Sequence, residues 1–497
     1  MHDRIAQDRA PAETSPDAGD RSGRPIPKPE GFDIRSRPAL AGRLVVAMVT
    51  LLLAAHAALV GYSATLHSPT LNEPGHLVAG LAQWTFGRFE VYRVNPPLVH
   101  YAAALPVMLA GYRPAWDGFY EAPGARPETT MGNAFLDANG PRSAWLFTVA
   151  RWGCLPFTLA GGLIGFFWSR ELWGSSLAGL ISLALWCFEP FLLAHAELIT
   201  NDCAATSLGL ASSYFFWRWL RRPSWWRALV AGTALGLAQL SKTTWIVLFG
   251  LWPVLWLFWV GTRRGPTGSP GRRDSTGPFA AQLVALLILG VYVLNLGYLF
   301  DGTLTRLGDY TFTSRALAGP LKTGDAGNRF EGMWLKNVPV PLPRQYLLGI
   351  DLQKRDFETF NDPSFLLGEW KMGGWWYYYL YGLSAKTSLG LQSLVVLGIV
   401  SVFIGGRRRP RACPAVGEAA GQAGSSSVRR RAGFWSGDVG FRDLAILAAP
   451  GVTILFLVSS QMQFNHHVRY ALPVLGFAMV FAGSVAWSFE PDVSTGR

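Results

Sequence analysis

Two acidic residues lie at the ends of long apolar segments, where a carboxylate is close to the membrane surface. Glu73 stands three residues before His76, a spacing that places both side chains on one face of a helix. Asp202 ends the segment 194–202, which follows another apolar run. A carboxylate in such a place is costly unless it is hydrated, paired or used. The two acids together would suit a general base that activates an acceptor hydroxyl and a second acid that orients it.

Each acid also has a purely structural interpretation. Glu73 can simply complement the positive end of a helix in its first turn. Thr200, Asn201 and Asp202 can serve only as an N-cap for the helix that follows. Both motifs fall on the same predicted side of the membrane, and this agreement favours a functional role.

Basic residues at the ends of other apolar runs are candidate ligands for a phosphate. Lys242 lies in a predicted outer turn and Arg469 in the outer turn of the last hairpin. Lys242 can alternatively extend its ammonium group to the interface without binding anything. His466 and His467 raise the possibility of a divalent metal ion, but no third ligand follows at a suitable spacing, so no metal ligands are assigned.

The other candidate substrate-binding residues are polar or aromatic side chains within or beside these motifs. They are Asn72, His76, Asn95, Asn201, Glu369, His467 and Tyr470. Trp and Tyr residues at 375–379 can line a substrate cavity or form an interfacial belt, and the sequence leaves both interpretations open.

The elements that position these residues are predicted to be membrane-spanning helices. Half of the 497 residues are apolar and 15% are charged, and several apolar runs are long enough to cross a hydrocarbon core of about 30 Å. About ten spans are expected: 44–63, 148–169, 174–197, 203–220, 226–241, 243–261, 279–300, 377–404, 441–461 and 470–488. The net charge of +12 comes with Arg-rich connectors between the spans, which argues against a nucleic-acid partner.

Charge sets the expected topology. The connectors near 218–227, 263–273 and 405–440 are rich in Arg and should be cytoplasmic. The segments 64–147 and 301–376 balance acids and bases and should be outer loops, with 97–112 as a juxtamembrane helix rather than a span. Residues 1–43 are predicted to be a disordered cytoplasmic tail without a cleavable signal, and 489–497 a second cytoplasmic tail.

Taken in their order along residues 44–488, the motifs of this chain resemble those of the membrane glycosyltransferases of the GT-C fold. The similar group is family 39-like and is related to protein O-mannosyltransferases and lipid A aminoarabinose transferases. The resemblance is carried by 72–76, 95–98, 194–202, 236–242, 368–387 and 469–473. Asn72 stands where that family usually has Asp, so the resemblance assigns the catalytic base to Glu73.

The resemblance implies an all-α, GT-C-like enzyme that moves a hexose or pentose, usually with inversion. The donor would be a polyprenyl-phosphate-linked sugar, and the acceptor a protein, lipid or glycan at the outer face of the plasma membrane. Lys242 and Arg469 would hold the donor phosphate, and Asp202 would assist at the acceptor or metal position. Many members of the family need no tightly bound metal, so a divalent metal ion is left open as a cofactor. The alternative is a multi-span transporter or flippase of a lipid-linked or hydrophobic solute, which would place charges near the membrane midplane and relate the two halves by a repeat. The sequence has neither feature.

Overall fold

A computed structural model describes residues 37–262, 276–320, 325–408, 439–461, 465 and 467–489. The chain divides into residues 1–44, of which 37–44 are described and begin the first helix, and a large unit of residues 45–497. Most of the predicted tails 1–43 and 489–497 lies outside the described residues, as do most of the Arg-rich connectors at 263–273 and 405–440.

The described part is mostly helical. In the first half of the chain the helices are α1 (Arg37–Ser63), α2 (Glu73–Phe86), α3 (Leu98–Ala110), α4 (Glu128–Asn139), α5 (Ser143–Trp173), α6 (Ser176–Phe188), α7 (Pro190–Ala196), α8 (Asn201–Arg221) and α9 (Trp225–Ser241). The second half contributes α10 (Val247–Gly261), α11 (Thr276–Gly297), α12 (Arg315–Ala318), α13 (Arg344–Thr359), α14 (Tyr378–Lys386), α15 (Leu389–Arg408), α16 (Phe441–Ser460) and α17 (Pro473–Ala482).

Five helical segments of the described residues are long and apolar enough to cross a membrane. They are Ala41–Ser63, Glu128–Trp173, Thr243–Gly261, Gly277–Gly297 and Phe441–Ser460. Two bent helix pairs raise this number to seven if each pair is one span. The predicted multi-span helical architecture is therefore confirmed, and 97–112 is a short helix, α3, that packs against α2 and α5.

Two of the predicted spans are not single helices. The segment predicted at 174–197 bends by 61° between α6 and α7, and the segment at 377–404 bends by 109° between α14 and α15. The first break falls at Glu189, whose backbone is extended (φ −68°, ψ 114°) because the following Pro190 disfavours a helical conformation before it. At the second break, Thr387 follows the last residue of α14, and the hydroxyl of the next residue, Ser388, caps α15.

The predicted large outer loop 301–376 is partly ordered by α13 and a β-hairpin. Strand β1 (Ser364–Leu366) pairs with β2 (Glu369–Lys371), and Phe365 lies opposite Trp370. Leu367 and Gly368 form the two-residue turn with φ of 54° and 86°, which matches the positive φ values of a type I′ hairpin. This hairpin is the described departure from an all-α fold.

Candidate active site

Glu73 lies at the start of α2, fully buried, and its carboxylate is surrounded by donors. Arg151 of α5 donates to both carboxylate oxygens over 2.8 Å. Thr70 donates its backbone N–H at 2.7 Å and its hydroxyl at 3.1 Å, and the backbone N–H of Ile199 adds a bond of 3.2 Å. Burial alone would raise the pKa of Glu73, but the charge and hydrogen bonds of Arg151 and the two backbone N–H groups lower it below its ordinary value.

Asp202 occupies the first turn of α8, where three charged side chains meet. Its Oδ1 accepts a hydrogen bond of 2.6 Å from Nζ of Lys242, and its Oδ2 lies 3.5 Å from Nε of Arg469. The ammonium of Lys242 is 5.0 Å from the centre of the Tyr470 ring. Burial acts to raise the pKa of Asp202, but the two cations outweigh it and lower the pKa to about 2, so the carboxylate is ionised. We call Asp202, Lys242, Arg469 and Tyr470 the charged cluster.

The turn between α9 and α10 is fixed against α8, and this places Lys242 beside Asp202. The side-chain amide of Asn201 donates to the carbonyl of Ser241 at 2.5 Å, and the Trp245 indole donates to the carbonyl of Ala205 at 2.9 Å. Between these two bonds the backbone of Lys242 is extended (φ −158°), which ends α9. Asn201 was predicted to bind substrate, and in the structure its amide nitrogen holds this turn.

Two cavities flank the charged cluster. The apolar cavity, of about 290 Å³, is bounded by Lys242 and Tyr470 and lined mainly by hydrophobic residues of α10, α13 and α16, including Val247, Ile350, Phe357, Leu457 and Val458. The cation-lined cavity, of about 360 Å³, contains His195, Lys386, His467 and Arg469 between aromatic walls that include Phe191 and Tyr378. The tip of the β-hairpin, at Leu366 and Leu367, closes part of the second cavity.

His76 faces a second histidine rather than Glu73. Its Nδ1 lies 2.9 Å from Nε2 of His100, whose other ring nitrogen is 3.2 Å from the side-chain amide of Gln83. Burial lowers the pKa of His76 to about 4 and that of His100 well below its ordinary value, so both rings are neutral near pH 7. The predicted helical face of Glu73 and His76 is therefore formed, but the two side chains have different partners.

The other predicted residues are only partly brought together. His467, Arg469 and Tyr470 line the cavities. Asn72 is half-buried at the N-terminus of α2 and makes no capping bond with its side chain, and Asn95 is half-buried in the turn before α3. Glu369 lies exposed in β2 and is not among the residues that line the two cavities. His466 lies outside the described residues.

The sequence analysis missed four residues of this region: Arg151, His100, His195 and Lys386. Arg151 lies within the predicted span 148–169, and a charge inside an apolar run is a signal that could have found it. His195 and Lys386 stand inside motifs that carried the resemblance, but only the fold brings α7 and α14 to one cavity. Nδ1 of His195 is buried without a hydrogen bond in the described part of the chain.

Within the described residues, no group of three or more His, Cys, Asp or Glu side chains is arranged to hold a metal ion. The divalent ion considered from the sequence has no such site among them, and its involvement stays a hypothesis. The Lys and Arg side chains that line the two cavities are Lys242 and Lys354 in the apolar cavity and Lys386 and Arg469 in the cation-lined cavity.

Together these features define a helical membrane protein with a buried charged cluster between two cavities. Residues 86–298 match the family model described as dolichyl-phosphate-mannose-protein mannosyltransferase. The resemblance found in the sequence is confirmed over this segment, which is less than half of the chain and contains Asp202 and Lys242 but neither Glu73 nor Arg469. No curated protein sequence matches the chain.

Solved structures of two membrane proteins are similar over most of the chain. ArnT from Cupriavidus metallidurans, bound to undecaprenyl phosphate, has 14% identity over 90% of this chain and 60% of its own, with a TM-score of 0.45. The archaeal oligosaccharyltransferase AglB from Archaeoglobus fulgidus, in complex with an inhibitory peptide and a dolichol-phosphate, has 11% identity over 89% and 50%, with a TM-score of 0.46. The chain thus spans about half to three fifths of the length of these proteins.

Proposed function

We propose that this protein is a GT-C-type membrane glycosyltransferase. It transfers a sugar from a polyprenyl-phosphate-linked donor to a protein, lipid or glycan acceptor at the outer face of the plasma membrane. The observation that carries the proposal is the charged cluster, in which Asp202 contacts Lys242 and Arg469 between an apolar cavity and a cation-lined cavity. The family match of residues 86–298 supports the same reaction class.

The proposed topology has ten spans. Adding α8, α9 and the short apolar helix α17 to the seven candidate spans gives the number expected from the sequence. Both termini and the Arg-rich connectors then lie in the cytoplasm, and the charged cluster faces outward with 64–147 and 301–376.

The apolar cavity is proposed to hold the prenyl chain of the donor. Its hydrophobic side chains suit an isoprenoid, and Lys242 stands at its boundary with the charged cluster, where the phosphate would arrive. Arg469 offers a guanidinium to the same phosphate from the side of the cation-lined cavity. The acceptor is proposed to approach through the cation-lined cavity.

The proposed chemistry is a single displacement. The acceptor hydroxyl oxygen attacks the anomeric carbon while the bond from that carbon to the phosphate oxygen breaks, and its electron pair leaves with the phosphate. The hydroxyl proton passes to Oδ2 of Asp202, which accepts no hydrogen bond in the described part of the chain, and the sugar is inverted. Phosphate bound to Lys242 and Arg469 offsets their charges and so raises the proton affinity of Asp202.

Glu73 is less suited to this step in the conformation described. Its five donors occupy both carboxylate oxygens, and a general base must reach the proton that it abstracts. The proposal therefore places the base function on Asp202, and gives Glu73 the task of fastening the first loop to α5.

The test is sugar transfer from radiolabelled mannosyl-phosphate-undecaprenol to the acceptors of native membranes by the full chain. Asp202→Asn should lower the transfer rate by about a hundredfold or more, because it removes a base and perturbs the phosphate ligands. Asp362→Asn, the same change at an exposed acid of the large loop, should have no effect. Asp202→Asn combined with Lys242→Met removes the hydrogen-bonded ion pair as a unit and leaves only the partly exposed Arg469 without its counter-charge, and the thermal midpoint of this variant controls for misfolding.

Wild-type transfer by Asp202→Asn would overturn the role of Asp202. If the wild-type chain transfers no sugar from mannosyl-phosphate-undecaprenol or from the corresponding donors with other sugars, the proposed function itself fails.

A further inference from the structure

The two helix breaks of the fold touch each other through a single carboxylate. Glu189, at the break between α6 and α7, accepts a hydrogen bond of 3.0 Å from the backbone N–H of Ser388 and one of 2.6 Å from its hydroxyl. Ser388 stands at the break between α14 and α15. Glu189 is only 2% exposed, and within the described residues it has no cationic partner. A buried carboxylate without a cation is costly, and the two hydrogen bonds from Ser388 offset part of that cost.

Ser388 is also the residue that caps the N-terminus of α15, which begins at Leu389. Its hydroxyl oxygen accepts from the backbone N–H of Leu391 at 3.3 Å, and its carbonyl accepts from Gln392 at 3.2 Å. The carboxylate of Glu189 therefore binds directly at the N-terminal end of α15, where the helix dipole favours a negative charge. One contact fixes the end of α6, the start of α7, the end of α14 and the start of α15.

The short helices that leave this contact form opposite walls of the cation-lined cavity. Phe191 and His195 belong to α7, and Tyr378 and Lys386 belong to α14. The ammonium of Lys386 lies 5.7 Å from the centre of the Phe191 ring, so the two helices remain close beyond the contact. The Glu189–Ser388 contact therefore joins the ends of two helices that lie almost two hundred residues apart in the sequence.

We propose that Glu189 is a positioning residue: by binding Ser388 it sets the separation of α7 and α14, and thereby the width of the cation-lined cavity. Glu189 touches no substrate and acts through His195 and Lys386. The link to catalysis rests on the proposed function, but the link to the separation of the helices does not.

A distance measurement tests the positioning role without any activity. Spin labels on Ala194→Cys and Leu380→Cys would report the separation of α7 and α14, since both positions are exposed and neither lines the cavity. Cys413 is replaced by Ser, and the three described cysteines, Cys154, Cys187 and Cys203, are buried. Pulsed electron spin resonance should give a narrow distribution for the parent chain and a broad or shifted one for Glu189→Ala.

Matched variants separate positioning from general damage. Glu189→Gln keeps one acceptor oxygen and should lie between the parent and Glu189→Ala. Ser388→Ala removes the 2.6 Å bond. Ser384→Ala makes the same change four residues earlier, within α14, where the hydroxyl donates to the carbonyl of Tyr381 and, in the described part of the chain, not to Glu189. We expect Ser388→Ala to broaden the distribution and Ser384→Ala to leave it unchanged.

Kinetics provide the second readout. Glu189→Ala should raise the KM for the acceptor roughly tenfold to a hundredfold and change the KM for the polyprenyl-phosphate donor less, because His195 and Lys386 lie on the helices that move, whereas Lys242 and most of the apolar cavity belong to other elements. A distance distribution in Glu189→Ala that equals that of the parent would overturn the proposal, and a lower thermal midpoint with the same distances would reduce Glu189 to a helix cap. If the parent chain transfers no sugar, the proposed function fails while the distances still decide this inference.

Discussion

The guanidinium of Arg151 donates to both carboxylate oxygens of Glu73, over 2.8 Å each, and neither side chain is more than 1% exposed. The remaining N–H groups of Arg151 donate to the carbonyls of Ala64, His67 and Ser68. One side chain of α5 therefore holds the segment that leads from α1 to α2, together with the first turn of α2. This ion pair therefore fixes the position of the start of the first loop against α5.

Breaking the ion pair should destabilise the protein. Glu73→Gln leaves the Arg151 guanidinium buried without a counter-charge, which costs about 3–5 kcal/mol in the free energy of unfolding. Thermal unfolding of the purified chain in detergent, followed by intrinsic Trp fluorescence, measures the loss.

The double variant Glu73→Leu with Arg151→Met separates the two roles of Glu73. It removes both charges and should recover part of the lost stability, since an apolar pair can replace a buried ion pair, although the carbonyls of Ala64, His67 and Ser68 lose the donors of Arg151. If Glu73 is an anchor, sugar transfer recovers as well. A stable double variant without any transfer would instead support Glu73 as the catalytic base.

Stability should also depend on pH through His76. Its pKa is lowered to about 4 in the folded chain from 6.5, so between these values the unfolded chain binds the proton more tightly. Stability is therefore complete above pH 6.5 and is lost as the pH falls toward 4, by about 3 kcal/mol from this group. Thermal midpoints measured from pH 7.5 to 4.5 give the slope.

His76→Gln is the control for this dependence of the thermal midpoint on pH. His76→Gln cannot titrate and should flatten the dependence between pH 6.5 and 4, although His100, whose pKa is also lowered, keeps part of it. The lowered pKa of Glu73 acts at more acidic pH, because a carboxylate of this kind loses its contribution only as the pH falls below 4.5. An unchanged slope in His76→Gln would contradict a neutral, buried His76.

The close contact of α2 and α3 depends on Gly80. A Cβ atom at this position would lie 2.2 Å from the carbonyl oxygen of His100, so Gly80→Ala must push the two helices apart. We expect a loss of about 1–3 kcal/mol in stability. Gly250→Ala is the matched control, because a Cβ atom there meets nothing within 4 Å, and it should stabilise α10 by about 0.5–1 kcal/mol. Equal effects of the two substitutions would show that α2 and α3 do not pack this closely.

The sequence predicted the helices and the placement of Asp202 and Lys242 on one side of the membrane, because both inferences depend on local patterns. Apolar length places the spans, and the Arg-rich connectors assign the ends of the spans to sides. Lys242 and Asp202 then fall on one side without any knowledge of the packing. Their contact at 2.6 Å agrees with that argument.

The sequence could not choose among partners that lie far apart along the chain. The shared helical face predicted His76 as the neighbour of Glu73. In the structure Glu73 is instead bound by the guanidinium of Arg151, which is charged, whereas His76 is neutral. The hydrogen bond from Ser388 to Glu189 joins positions 199 residues apart, and no periodicity reports such a contact. Of these two features, only the position of Glu189 at a helix break could be predicted locally, because the residue before a proline disfavours the helical conformation.

Filling the apolar cavity should weaken binding of the donor. Val458 of α16 lines this cavity, and Val458→Trp would occupy much of its volume of about 290 Å³. If the prenyl chain binds there, the KM for the polyprenyl-phosphate donor rises about tenfold or more, whereas a donor with a short prenyl chain is affected less, because fewer of its carbon atoms need the cavity. Val254→Trp is the control, since Val254 is 60% exposed on α10. An unchanged KM for the long-chain donor in Val458→Trp would show that the chain binds elsewhere, and the assignment of this cavity to the donor would be wrong.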